Sequence, residues 1–558
     1  MSNLTAFIAI KEALTLKKST TIRTAFNVHR MLVWVSLLSL VMFVLSALAH
    51  PLMVWTGPQA KKAFPPKILE AQASGVQGHE LTSRHLQKVS TILSQAVIED
   101  STLASDIPLT SLIQAKVLPS HDRVVLQLTT EHNHPRHYFS LDSTDEKKAF
   151  HTNTLPPNYD EYHAQWLARY YTQEQSPIKN VTFINEFTPD YPWVNRLLPV
   201  YKVEFERADQ LTVYVHTETN ALAAINNRWK TALQTFFRVF HTWSWLDELP
   251  LLRVGIITIL LLSLLAACIS GIVMMITIKR KVYKDAFQRY HRKMAWYVCL
   301  PLLGFLGSAL FHLLQMEYAE PPAGLRLNQP VGWTALSPDS INTNAQLEPV
   351  IENALLASKR LNNISLVAYD SRWLLRVSIA PDNPETNLSD HQRRQQRFEG
   401  KSLEQSAIFF DYLTGENVAV TDKEIVEDKA RRYLELSPTD EVALSLVTRF
   451  GPDYDFRNKR LPVWRAEVLG SHVGEKLFID PATGILVEHM QAQGFQKSER
   501  WSFSYLHKWN MLKPLLGREG RDLSIVGFLL MLMFFGFAGY RLKRARVKND
   551  QACTRVGQ

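Results

Sequence analysis

The chain has 558 residues, a formal net charge of +9, and a composition that is 46% hydrophobic and 21% charged. These averages are ordinary for a globular protein, but they conceal a few long apolar runs between long polar stretches. Lys and Arg gather beside the apolar runs, which is typical of membrane topology signals and disfavours a nucleic-acid partner. The three cysteines are Cys268, Cys299 and Cys553, so the long polar stretches contain no disulfide.

Four apolar segments are close to the length that crosses about 30 Å of hydrocarbon. We predict membrane spans at residues 31–55, 251–278, 294–315 and 522–541. Positive charge is concentrated in the N-terminal tail 1–30, the loop 279–293 and the C-terminal tail 542–558. Because positive flanks stay in the cytoplasm, both termini are expected there, with the chain in a bacterial inner membrane. The polar segments 56–245 and 317–515 are then expected to be two periplasmic domains.

A cleaved signal peptide is the alternative for the first span, because Ser46-Ala47-Leu48-Ala49 resembles a signal-peptidase site. A similar pattern, Ser308-Ala309-Leu310-Phe311, ends the third span, where no signal peptide can lie. We therefore expect the first segment to remain as a span.

The chain contains an internal duplication. Three pairs of segments match at a nearly constant offset: His29–His50 with His291–His312, Pro189–Tyr201 with Pro452–Trp464, and His241–Trp243 with His507–Trp509. Each half therefore consists of a span, an outer domain, a His-x-Trp element beside the membrane, and a second span. The two halves insert in the same orientation and form a parallel repeat.

The two polar segments alternate helix and strand patterns, which predicts small α+β units, two in each outer domain, each with a helix on an antiparallel sheet. The predicted helices are His85–Ile98, Tyr159–Tyr171, Ala345–Leu361 and Lys423–Leu436. The predicted strands are Val124–Thr129, Lys202–Glu206, Leu211–Val215, Ser365–Tyr369, Leu374–Ile379, Ala407–Phe410 and Leu477–Ile479. Asp411–Gly415 and Asp480–Gly484 have the residues of tight turns.

With these elements in place, the chain resembles the PepSY-associated transmembrane family of bacterial inner-membrane proteins. The resemblance rests on His-Arg at the start of the first and third spans and on Asp-x-x-Thr-Gly at Asp411 and Asp480. A histidine before the second and fourth spans, and basic residues after them, also fit. The first half departs from the pattern, since it has Thr219-Asn220 in place of Thr-Gly.

Members of this family include iron-regulated proteins and siderophore-iron reductases that hold haem b between their helices. The resemblance therefore implies a membrane α-helical protein of four spans with two periplasmic α+β PepSY-like domains. It also implies electron transfer to ferric chelates, siderophore-iron among them, in the periplasm.

The membrane histidines form two pairs at matching depths. His29 and His50 on the first span are 21 residues apart, as are His291 and His312 on the third span, which is roughly 31 Å along a helix. Since the two spans run in the same direction, His29 is expected to face His291 near the cytoplasm, and His50 to face His312 near the periplasm. Two facing imidazoles can ligate one iron axially, so we predict two haem b groups on these four metal ligands.

Four further residues are assigned to the same cofactors. Arg30 and Arg292 are predicted partners of the haem propionates. His241 and His507 lie just outside a span and offer another way to ligate the outer iron. The alternative is that these histidines are polar residues tolerated at the membrane interface.

The leading hypothesis is an electron-transfer protein that takes electrons from a quinol or a cytoplasmic reductase and reduces a ferric chelate in the periplasm. The sequence has no hydrolase, Walker or dinucleotide-binding pattern, so it supports neither a hydrolase nor a flavin or nicotinamide site. The alternative hypothesis is a non-enzymatic, membrane-anchored sensor or regulator that binds a peptide, a protein or a chelate. A transporter component is a third, for which the spans provide no polar path.

Overall fold

The computed structural model separates the chain into two compact units. It describes residues 2–66 except 63, 81–99 except 82, 114–142 except 122 and 132, 154–278, 285–318, 361–379 except 371, 406–469 except 413 and 452, and 474–556 except 491–493. The helical unit comprises Met1–Gly57, Trp229–Glu320 and Gln493–Gln558, and the sheet unit comprises Pro58–Arg228 and Pro321–Ala492.

The described helices include the four predicted spans. They are α1 (Ser2–Thr56), α2 (Ser83–Glu99), α3 (Tyr159–Thr172), α4 (Arg228–Phe237), α5 (Pro250–Thr277), α6 (Ala286–Tyr318), α7 (Asp422–Tyr433), α8 (Gly494–Ser502) and α9 (Lys513–Val556). The segments long and apolar enough to cross a membrane are Thr20–Thr56, Pro250–Thr277, Ala286–Tyr318 and Asn510–Leu542. The protein is therefore membrane-associated by the length and composition of these helices.

The predicted strands are confirmed, each with small differences at its ends. The described strands are β1 (Gln114–Ser120), β2 (Arg123–Thr129), β3 (His137–Ser140), β4 (Ile178–Ile184), β5 (Val200–Phe205), β6 (Thr212–His216), β7 (Ala221–Asn226), β8 (Leu361–Tyr369), β9 (Arg372–Ile379), β10 (Ser406–Asp411), β11 (Asn417–Val418), β12 (Glu441–Val447), β13 (Val463–Leu469), β14 (Lys476–Ile479) and β15 (Leu486–Met490). The predicted helix Ala345–Leu361 lies outside the described residues, except that Leu361 begins β8.

The strands form three antiparallel sheets, and one of them joins the two halves of the duplication. A seven-stranded sheet has the order β11-β10-β9-β8-β1-β2-β3, and two four-stranded sheets have the orders β4-β5-β6-β7 and β12-β13-β14-β15. The halves meet where β1 pairs with β8, with Lys116 opposite Ser365. The sequence predicted two separate outer domains and gave no indication that the two halves share a sheet.

Each sheet buries one face under a helix. Leu86 and Ile92 of α2 pack on Val117 and Leu126 of the seven-stranded sheet. In the same way α3 covers the sheet β4–β7, and α7 covers the sheet β12–β15. The prediction of a helix on an antiparallel sheet is confirmed for these units.

The two four-stranded sheets repeat each other in detail. Tyr191 stacks on Tyr214 with ring centroids 4.8 Å apart, and Tyr454 stacks on Phe478 at the same distance. Each tyrosine hydroxyl donates to a backbone carbonyl six residues further along the chain. These tyrosines are therefore core residues.

The first half has Asn220 where the second half has the glycine Gly484, but the two turns share a backbone conformation. Asn220 adopts a φ of 53°, close to the 73° of Gly484 in the second half. Asparagine tolerates this left-handed conformation better than other side chains do. The sequence departure at Thr219-Asn220 therefore does not change the turn.

Buried ion pairs cross between the two halves within the sheet unit. Arg460 donates to both carboxylate oxygens of Glu218, at 2.7 and 2.9 Å, and to Asp480 at 2.7 Å. Burial alone would raise the pKa of Glu218, but Arg460 and Lys116 lower it well below its ordinary value. Arg196 donates in turn to Asn458 at 2.8 Å. The halves are thus held by charges that have little access to water.

Arg460→Met should destabilise the protein by about 3–5 kcal/mol, because it removes both hydrogen bonds that Arg460 donates to the buried Glu218 carboxylate. Urea unfolding of the purified full-length protein would measure this. The control is Arg432→Met, which removes a half-exposed pair with Asp428 on α7 and should change little. Equal losses in the two variants would contradict the argument.

His163 on α3 is a buried neutral imidazole in the first half. Its Nε2–H donates to Oδ1 of Asn220 at 2.7 Å, and its Nδ1 accepts from the hydroxyl of Ser120 at 2.8 Å. Burial lowers the pKa of His163 to about 4, against an ordinary value of 6.5. Protonation would break the bond from Ser120 and place a charge in the core.

The protein should lose stability as the pH falls from 6.5 to 4, since the unfolded chain binds a proton that folded His163 excludes. This residue contributes up to about 3 kcal/mol of that loss. Urea unfolding at several pH values should therefore show a shallower fall in His163→Gln. His216, whose pKa burial also lowers, stays in both proteins, so the difference between them is the readout. Parallel pH profiles would refute the prediction.

Candidate functional site in the helical unit

The four long helices form a ring in which α1 and α6 occupy opposite corners. Each of these two helices packs against both α5 and α9. The interior between them is apolar and contains Val44, Cys268, Val298, Leu302 and Leu532. Val298 is fully buried. Polar side chains on the inner faces of α1 and α6 therefore need partners from α5 and α9.

The inner histidines find such partners in a repeated way. Nδ1 of His29 lies 2.9 Å from the carbonyl oxygen of Ala267 on α5, so Nδ1 carries the proton and donates. The ring of His291 stacks on Phe535 of α9, with centroids 4.2 Å apart. Ala267 and Phe535 are matching positions on the second span of each half. His29 and His291 are close enough for their charges to interact. That they share one iron stays a prediction.

A glycine lies against each inner histidine. A Cβ at Gly271 would lie 3.6 Å from Cε1 of His29, and a Cβ at Gly539 would lie only 3.2 Å from Cε1 of His291. These glycines also match, since Gly271 follows Ala267 by the same spacing with which Gly539 follows Phe535. A larger residue at Gly539 would displace the imidazole, so the glycine sets its position.

The juxtamembrane histidines sit on two matching π-helical turns, Arg238–Thr242 and Phe503–His507. A tryptophan with positive φ follows each turn: Trp243 at 55° directly, and Trp509 at 49° after Lys508. The wider turn displaces the histidine from the regular helical path and lets it reach a neighbouring helix.

Each of these histidines inserts between aromatic rings and contacts a span. The His241 ring stacks on Phe237 at 4.5 Å, and His507 stacks on Phe503 at 4.8 Å. His241 also approaches Ser46 on α1, with Nδ1 at 3.0 Å from Oγ. The Ser46 hydroxyl donates to the Phe43 carbonyl at 3.1 Å, so its oxygen accepts from Nδ1–H of His241.

The outermost histidines lie one helical turn further along their spans. His312 donates from Nδ1 to Oε1 of Glu499 at 2.6 Å and stacks on Phe503 at 3.7 Å. His50 is more open and lies 6.3 Å from the ring of Phe237. Electrostatic interactions connect His50 to His241, His241 to His507, and His507 to His312. The four outer histidines thus lie within range of each other's charge, and which of them ligate an iron stays a prediction.

Three of the six imidazoles share one tautomer. Nδ1–H donates to a carbonyl in His29, to a hydroxyl in His241 and to a carboxylate in His312. Within the part of the chain that the structure describes, no hydrogen bond reaches Nε2 of these rings. A histidine whose Nδ1–H is held by a protein acceptor presents the Nε2 lone pair to a metal.

The juxtamembrane histidines also have the charge state of a metal ligand. Burial lowers the pKa of His241 to about 4 and that of His507 to about 3, so both rings are neutral at neutral pH. The backbone of Phe535 lies beside the ring of His291, and that of Phe305 beside the ring of His507, as the Ala267 carbonyl lies beside His29.

The predicted propionate partners occupy different surroundings. Arg292 donates from Nη2 to the carbonyls of Met275 and Ile278, where it caps the end of α5. Arg30 is exposed on α1. Their assignment to haem propionates stays a prediction.

Sequence reasoning missed several residues that shape the site. Ser46, Gly271 and Gly539 recur at matching positions of the two halves, so an alignment of the halves could have found them. Glu499 gave no such signal, since the first half has Leu233 at the matching position.

Two comparisons with known proteins found no match. No protein-family model matches the chain, and no curated protein is significantly similar to it. The likeness to the PepSY-associated family therefore rests on the residues given above.

Proposed function

We propose that this protein is an inner-membrane electron-transfer protein, similar to the PepSY-associated transmembrane family, that binds two haem b groups and reduces ferric chelates in the periplasm. The observation that carries the proposal is that protein acceptors hold Nδ1–H of three histidines at two levels of the bundle and leave Nε2 open. His29 supports an inner ligand, and His241 and His312 support outer ligands.

The charge distribution supports the orientation. The basic clusters in 1–30, 279–293 and 542–558 all lie on the same side of the membrane, and that side is the cytoplasm if positive flanks stay inside. The sheet unit then lies in the periplasm, where its PepSY-like sheets would meet a ferric chelate such as siderophore-iron. Electrons would come from a quinol in the bilayer or from a cytoplasmic reductase.

The inner pair fits a haem iron. His29 and His291 lie on opposite corners of the bundle and interact electrostatically. Gly271 and Gly539 let the two rings pack closely against α5 and α9. Nδ1–H of His29 is fixed by a backbone carbonyl, which is how proteins orient an imidazole ligand.

The outer histidines would hold the second iron. His50 lies 21 residues from His29, or roughly 31 Å along α1. His241, an alternative outer ligand, contacts α1 at Ser46, which lies about 17 residues from His29, or roughly 25 Å. An iron that His241 and His507 shared with His312 would therefore lie up to one helical turn nearer to the inner iron than one held by His50 and His312 alone.

Haem b, when bound, supplies a centre that takes up and gives up one electron at a time. The histidines would hold and orient it. Val44, Val298 and Leu302 form an apolar layer between the inner and outer histidines. Each quinol would supply two electrons and release two protons, and each ferric chelate would take one electron to become ferrous.

A reduced-minus-oxidised absorption spectrum of the purified protein should show the sharp bands of bis-histidine haem. His29→Ala and His312→Ala should each remove about half of the haem, because they act on different irons. A protein without these bands, prepared from haem-replete cells, would instead be the membrane-anchored sensor or regulator of the alternative hypothesis. Loss of both haems, or of neither, in each variant would contradict the ligand assignment.

Gly539→Val should selectively lower the haem content of the inner site, because its branched side chain would enter the space that His291 occupies. The control is Gly527→Val on the same helix, where a Cβ meets nothing within 4 Å. Pyridine haemochrome assay against protein concentration measures the loss. Equal haem content in the two variants would show that the glycine does not position the ligand.

A further inference from the structure

The duplication breaks at one buried position beside the outer histidines. Helices α4 and α8 match without a gap, and this alignment places Phe237 with Phe503 and His241 with His507. Glu499 on α8 therefore corresponds to Leu233 on α4. The second half has a carboxylate at the position where the first half has an apolar side chain.

The carboxylate of Glu499 is buried and hydrogen-bonds to His312. It is only 8% exposed, and its Oε1 accepts from Nδ1–H of His312 at 2.6 Å. The short distance is typical of a charge-assisted bond. Phe503 stacks on the other side of the His312 ring at 3.7 Å and fixes its plane. His312 is thus the one membrane histidine among the described residues whose Nδ1 is held by a carboxylate.

The matching histidine of the first half has surroundings of the opposite charge. His50 interacts electrostatically with Lys508, Arg518 and Arg521, and with a single acid, Asp522. The ring of His50 lies 6.3 Å from Phe237, so it is also held less tightly. Two histidines that the sequence makes equivalent therefore differ in electrostatic environment.

A carboxylate on Nδ1–H makes an imidazole more basic at Nε2 and adds negative charge near any metal bound there. Negative charge stabilises the more positive oxidation state, and the effect is strong in an apolar site with a low dielectric constant. Hydrogen bonding to an axial ligand is one of the means by which a protein sets a haem potential.

We propose that Glu499 is a positioning residue that orients His312 and lowers the reduction potential of the iron that His312 ligates. This inference rests on the proposed function, since it requires haem at the outer histidines. The outer iron becomes the stronger reductant of an acceptor in the periplasm. Electron transfer to it from the inner iron, whose ligand His29 is held by a neutral carbonyl, becomes less favourable.

Potentiometric titration of the purified full-length protein, followed at the haem absorption bands, tests the proposal. Glu499→Gln keeps the shape of the side chain and removes its charge. We expect the equilibrium constant for reducing one haem to rise at least tenfold, which is about 59 mV for a one-electron couple. The midpoint of the other haem should stay unchanged, and Glu499→Asp should remain within twofold of the original protein.

Glu248→Gln is the matched control, because Glu248 is exposed beside the second span and its loss removes the same charge. It should leave both midpoints unchanged. Two haems in the original protein with unmoved midpoints in Glu499→Gln would overturn the inference and leave the proposed function intact. Loss of the outer haem in that variant would also overturn it, since Glu499 would then only support the fold. An original protein without haem bands would reject both.

Discussion

An imidazole inside an apolar helix bundle needs a partner for its N–H group, and the choice of that partner decides which nitrogen stays open. In this protein the partner accepts a hydrogen bond from Nδ1–H in three cases: a carbonyl for His29, a hydroxyl for His241 and a carboxylate for His312. The open nitrogen is then Nε2 each time. The arrangement of the spans, the glycines and the π-helical turns all serve this placement.

The π-helical turns show how a duplicated sequence moves a side chain into a membrane bundle. A regular helix would carry His241 and His507 along the outside of their neighbours. The extra residue in each turn, followed by a tryptophan with positive φ, turns the ring toward Phe43 or Phe305 on the adjacent span. As ligands, these rings would bring the outer iron up to one turn nearer to the inner iron than His50 and His312 alone would hold it.

In the sheet unit the two halves of the duplication are joined into one structure. The shared seven-stranded sheet joins them through β1 and β8, and the pair of Arg460 with Glu218 joins them through charge. Such a buried pair adds little net stability over apolar packing, but breaking it is costly. The two halves are therefore bound to fold together, while single positions such as Glu499 are free to diverge.

The sequence by itself determined the four spans, the duplication and the depth of each membrane histidine. These follow from local composition and from spacing along one helix, so they need no knowledge of neighbours. It also predicted seven of the fifteen described strands, those around Val124, Leu374 and Leu477 among them. The other eight were not predicted, and β12 was one of them although its residues alternate in polarity.

Only the tertiary structure decided which nitrogen of each histidine is open, that His312 meets Glu499, and that both halves share a sheet. These features depend on contacts between segments far apart in the chain: 238 residues separate His29 from Ala267, and 187 separate His312 from Glu499. Local propensity carries no record of such contacts. They arise when helices and strands pack to bury apolar surface and satisfy the polar groups that burial leaves without water.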